Sequence, residues 1–87
     1  MFSSKAVKTV IKNHMDLDKS FQKNCETYTR YNSENVEIKV HFSYTTIEIY
    51  KGENAKPKWI YILGADSQKE FELSVKSCLK FIEDNTK

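Results

Sequence analysis

The sequence predicts one α+β domain over residues 1–87. The expected form is a two-layer sandwich: an N-terminal helix, a three- or four-stranded antiparallel sheet and a C-terminal helix. Three observations lead there. Apolar residues recur at helical spacing near both ends of the chain. Between them, apolar and polar residues alternate with a period of two, as in half-buried strands. Each helix carries one apolar stripe, and a sheet with one apolar face is able to cover both.

The first helix is expected from Ser4 to about Asn24. Val7, Val10, Ile11, His14, Leu17, Phe21 and Cys25 fall on one side of it. Lys5, Lys8, Lys12, Lys19 and Lys23 fall on the opposite side. Ser3 or Ser4 is positioned to cap its start. Asp16-Leu17-Asp18 is a point where it kinks or splits, since aspartate is a poor interior helix former.

Thr27-Tyr28-Thr29-Arg30-Tyr31 is β-branched and aromatic, which suggests a short strand. Asn32-Ser33-Glu34-Asn35 is a turn cluster. Val36, Ile38, Val40, Phe42 and Tyr44 then alternate with Glu37, Lys39, His41 and Ser43. The parity flips at Ile47 and Ile49, so a tight hairpin is expected between Ser43 and Thr46. Lys51 to Pro57 reads as a loop. Lys58-Trp59-Ile60-Tyr61-Ile62-Leu63 is a strand apolar on both faces, either central or carrying a contact surface.

Gly64-Ala65 turns the chain. Ser67-Gln68-Lys69-Glu70 matches a capping box, and Asp66 adds favourable charge at the helix start. The second helix runs to about Asp84. Phe71, Val75, Cys78, Leu79 and Ile82 form its buried stripe, while Leu73 and Phe81 lie off it.

An 87-residue chain excludes a two-domain enzyme or a long repeat array. No apolar run has signal-peptide or membrane-spanning length, so a cytoplasmic protein without membrane contact is expected. Cys25 and Cys78 are read as reduced core residues, because a small secreted domain normally carries more cysteines. Gly52 and Gly64 are isolated, which excludes a phosphate loop. The histidines and cysteines lack metal-ligand spacing, so no metal and no cofactor is expected. His14, with Asp18 one turn on, is a candidate acid–base pair. It lacks a nucleophile motif and is read as structural, so no catalytic residue is assigned and no enzyme is expected.

If Ile60 and Ile62 join Val36, Ile38, Val40, Phe42, Ile47 and Ile49 under the helices, alternation places Lys39, His41, Glu48, Tyr50, Trp59 and Tyr61 on the other face. Amphipathic aromatics beside a lysine and a histidine make a plausible contact surface. Lys39, His41, Tyr50, Trp59 and Tyr61, with Leu73 and Phe81 as anchors, are the expected partner-binding residues. The expected function is a small non-enzymatic inhibitor or adaptor acting by protein–protein contact, with a homodimer as a further expectation.

Net charge is +2, but it is unevenly spread. Residues 1–24 carry +3 and the remainder −1, so the excess lies on the first helix. That lysine stripe (Lys5, Lys8, Lys12, Lys19, Lys23), with Tyr50, Trp59 and Tyr61 as stacking platforms, makes RNA binding the alternative. Arg30 is the lone arginine, which argues against bidentate base readout.

The element order resembles that of the double-stranded-RNA-binding domain. The resemblance stops at order. That family begins its last helix with lysines, whereas Ser67-Gln68-Lys69-Glu70-Phe71-Glu72 holds one lysine and two acids. Its histidine-bearing loop has no counterpart in Ser43 to Thr46, so no site carries over. In size and composition the chain is also similar to small phage proteins that neutralise host defence systems.

Overall fold

The computed structural model describes residues 4–63 and 68–87. The chain runs α1 (Ser4–Leu17), β1 (Gln22–Asn24), β2 (Thr27–Tyr31), β3 (Glu37–Phe42), β4 (Thr46–Lys51), β5 (Trp59–Ile62) and α2 (Gln68–Asn85). The strands form one antiparallel sheet in the order β1-β2-β3-β4-β5. This is the expected α+β sandwich, with five strands instead of three or four. The additional strand is β1, whose Gln22-Lys23-Asn24 is wholly polar and so gives no apolar alternation to detect.

The first helix is shorter than its periodicity suggested. At Leu17 the chain leaves the helix, and the Asp18 carboxylate accepts hydrogen bonds from the Ser20 backbone N–H (2.9 Å) and hydroxyl (2.7 Å). Asp18 thus offers the backbone a turn in place of a further helical residue. The cut also moves the buried stripe. Val7, Ile11 and Met15, spaced by four, point into the core. His14 and Leu17 are exposed, and Cys25 sits exposed in the β1–β2 turn with φ 55°. A helix continuing to residue 24 would have aligned positions 14, 17, 21 and 25. The Asp18 turn removes that alignment.

Both helices pack on one face of the sheet and on each other. Their shared core holds Val7, Ile11 and Met15 from α1, Cys78 and Ile82 from α2, and Tyr28, Ile38, Val40, Phe42, Ile47 and Ile49 from the sheet. Phe71, Val75 and Leu79 are partly buried against it, as expected. Burial of apolar area at this scale is the main stabilising term for so small a chain.

The hairpin at the parity flip is present. Ser43 N–H donates to the Thr46 carbonyl at 2.9 Å, and Phe42 pairs with Ile47. Tyr44 rides on that turn and is 81% exposed. The β2–β3 turn is organised by Asn32, whose side-chain Oδ1 accepts from the N–H groups of Glu34 and Val36, both at 2.9 Å. Asn35 takes the positive φ there, 60°, which asparagine tolerates.

The largest departure concerns β5. Its register pairs Ile47 with Tyr61 and Ile49 with Trp59. Directly paired residues share a face, so Trp59 and Tyr61 lie under the helices and are partly buried against the core. Ile60 and Ile62 point to the other face and are 56% and 77% exposed. A strand apolar on both faces carries no parity signal of its own, and the two larger rings bury more area inside. Phe81 likewise packs inward, its ring 5.3 Å from that of Tyr61. Gly64-Ala65, Asp66 and Ser67 lie outside the described residues. Among those described, no helix is long and apolar enough to cross a membrane.

Candidate functional site

The helices occupy one face of the sheet, and alternation defines what the other presents. From β2 come Thr27, Thr29 and Tyr31, and from β3 Glu37, Lys39 and His41. From β4 come Thr46, Glu48 and Tyr50, and from β5 Ile60 and Ile62. Each side chain is placed by its strand register, so the surface is a rigid grid.

The centre of this grid is a shallow depression of about 600 Å³. Thr27, Glu37, Lys39, His41 and Tyr50 line its floor, and Gly52, Glu53 and Asn54 form a wall. The wall stands because Gly52 adopts φ 69°, turning the chain out of β4, and its N–H donates to the Glu37 carbonyl at 2.8 Å. Asn54 Nδ2 donates to the Lys51 carbonyl at 2.9 Å, which holds the loop against the strand end.

The polar groups are mutually compensated. Lys39 Nζ lies 3.4 Å from Glu37 Oε1. His41 Nδ1 is 3.0 Å from Thr27 Oγ1. Lys39 stands opposite Tyr50, and His41 opposite Glu48. The result is a small mixed-charge patch with an aromatic ring, flanked by exposed Tyr31, Ile60 and Ile62. Such a patch suits hydrogen bonding and apolar contact with a protein surface.

Of the expected contact residues, the structure therefore brings together Lys39, His41 and Tyr50. It removes Trp59, Tyr61 and Phe81 to the helix side. Leu73 is exposed at 53%, but on α2, away from the open face. The neighbours missed by sequence were Thr27, Glu37, Gly52, Glu53 and Asn54. The same alternation would have found Thr27 and Glu37, whereas the loop wall depends on Gly52.

The lysine ridge is not a continuous feature. Because α1 stops at Leu17, Lys19 and Lys23 are not on it. Lys12 Nζ contacts Glu26 Oε1 at 2.8 Å, and Lys23 Nζ contacts Asp16 Oδ1 at 3.1 Å. The Lys12 ammonium holds the Glu26 carboxyl below its usual range, mainly through that hydrogen bond. Lys5 and Lys19 are exposed and Lys8 is half-buried.

His14 lines two grooves beside α2, and the Asp18 carboxylate is engaged by Ser20. Cys25 and Cys78 are both free thiols. Cys78 is fully buried, and burial pushes its thiol up to about 12. Among the described residues, no cluster of three or more histidine, cysteine or acidic side chains is placed to hold a metal ion. The chain matches no known protein family, characterised protein or solved structure.

Proposed function

We propose that this chain is a small, non-enzymatic binding protein that acts by protein–protein contact through the open face of its sheet. One observation carries this reading. With both helices on one side, the opposite face presents an ordered patch of Lys39, His41 and Tyr50 beside exposed Tyr31, Ile60 and Ile62. Apolar side chains grouped on an uncovered face favour a macromolecular contact. A rigid surface also loses little conformational entropy on binding. An inhibitor or adaptor, working in the cytoplasm with its thiols reduced, fits this arrangement. RNA binding is the weaker reading, because Lys12 and Lys23 are already held by carboxylates.

The test is capture from the native host with and without nuclease, followed by direct titration of the purified captured protein. Tyr50→Ala and Lys39→Glu should each weaken binding at least about tenfold, as loss of an interface anchor does. Nuclease-sensitive capture, or unchanged affinity in both variants, would overturn the proposal.

A further inference from the structure

We propose that β5 is a self-association edge, at which two copies of this chain pair antiparallel about a two-fold axis to form a continuous ten-stranded sheet. The argument begins with the hydrogen-bond phase of the ladder. Ser43 N–H donates to Thr46, so Thr46, Glu48 and Tyr50 turn their main-chain groups toward β3. Ile47 and Ile49 then turn theirs toward β5, where they meet Tyr61 and Trp59. Leu63 N–H donates to the Thr45 carbonyl at 2.9 Å, in the same phase. The N–H and C=O groups of Ile60 and Ile62 are therefore directed to the outer edge. Among the described residues, no strand pairs with that edge.

The two edges of the sheet are built differently. The β1 edge is three residues long, polar and exposed throughout, which discourages pairing. The β5 edge has no charge, proline or glycine between Trp59 and Ile62, and it adds two outward isoleucines. Such an edge is a template for another strand.

A second copy satisfies it. With the two-fold axis at Tyr61, Ile60 of one copy meets Ile62 of the other, and both exchange main-chain hydrogen bonds. Four isoleucines then form one apolar cluster on the open face, with no charge of β5 set against its own image. This is the isologous arrangement of a two-fold dimer. The area sets its strength. The isoleucines remove roughly 200 Å² of apolar surface per copy, well short of the about 1,200 Å² total of a stable interface. The dimer is accordingly weak and dependent on concentration. The inference shares Ile60 and Ile62 with the partner-binding surface but not the Lys39–Tyr50 depression, so Ile62→Lys tests self-association while Tyr50→Ala and Lys39→Glu test partner binding.

Sedimentation velocity between about 5 µM and about 1 mM tests it, the range in which weak contacts of this size form. The chain should shift from monomer toward dimer across that range. Ile62→Lys should remain monomeric throughout, with an unchanged melting temperature. Leu73→Lys, which alters an exposed apolar residue elsewhere, should dimerise like the parent chain. Hydrogen exchange should slow at the Ile60 and Ile62 amides as concentration rises. A parent chain that stays monomeric, a dimer that survives Ile62→Lys, or a dimer lost in Leu73→Lys would each overturn the proposal.

Discussion

Arg30 on β2 donates to the main-chain carbonyl of Thr86 from both Nε (3.0 Å) and Nη2 (2.6 Å), which ties the chain's end beyond α2 to the sheet. Its Nη1 reaches the Ser20 hydroxyl at 3.1 Å, and the guanidinium lies 4.8 Å from the Phe21 ring centroid. One side chain thus joins the sheet, the turn after α1 and the segment after α2. Cationic donors are well matched to the unpaired carbonyls at a helix C-terminus.

Replacing Arg30 by alanine should cost about 1.5–3 kcal/mol of folding stability, the range for hydrogen bonds to charged groups. Arg30→Lys should recover only part of that, because an ammonium cannot fork across the same acceptors. Urea unfolding of both variants measures the difference. Equal stability of Arg30→Ala and the parent would show that the contact contributes nothing.

Tyr28 should behave as a second tie. Its hydroxyl donates to Asp16 Oδ1 at 2.6 Å, from a ring that is 1% exposed in the core. Tyr28→Phe should lose about 1 kcal/mol, as for a single hydrogen bond with its packing retained. The same bond, followed by the Lys23 ion pair, holds the Asp16 carboxyl below its ordinary value of 3.8. A lowered folded-state value means that this contribution is fully present above pH 3.8 and disappears as pH falls through the folded value. Acid titration of unfolding stability should therefore show a limb below that pH that is shallower in Asp16→Asn. An identical limb in the variant would remove Asp16 from the account.

The two faces of β5 should separate stability from binding. Trp59→Ala and Tyr61→Ala remove rings packed on the core and should each cost about 2–4 kcal/mol, toward the lower end because both are only partly buried. Tyr50→Ala and Lys39→Glu, on the open face, should change stability by less than about 1 kcal/mol. Thermal melts of the four variants give the comparison. A small loss for the first pair, with a large one for the second, would reverse the assignment of faces.

The element order was legible because it rests on local patterns. Alternation from Glu37 to Phe42, the flip at Ile47 and the stripe of Cys78 and Ile82 all carry their meaning in spacing alone. Lys39, His41, Glu48 and Tyr50 were found on the open face for the same reason. Two readings failed for different reasons. His14 looked central because the apolar stripe was carried past Leu17, although Asp16-Leu17-Asp18 marks the break and the turn there is local, held by two hydrogen bonds from Ser20 to Asp18. The other failure was non-local. The lysine stripe looked continuous because Glu26 and Asp16, its acidic partners, are not marked as neighbours by sequence.

Sequence alone therefore determined the α+β architecture, the antiparallel β3–β4 hairpin and the identity of four open-face residues, since hydrophobic periodicity is a property of adjacent positions. Only the tertiary structure decided which face of β5 turns inward, which lysines are neutralised and where Arg30 is spent. Those outcomes depend on register and on side chains far apart in the chain. In a strand as apolar on one face as on the other, pairing with Ile47 and Ile49 settles what periodicity leaves open.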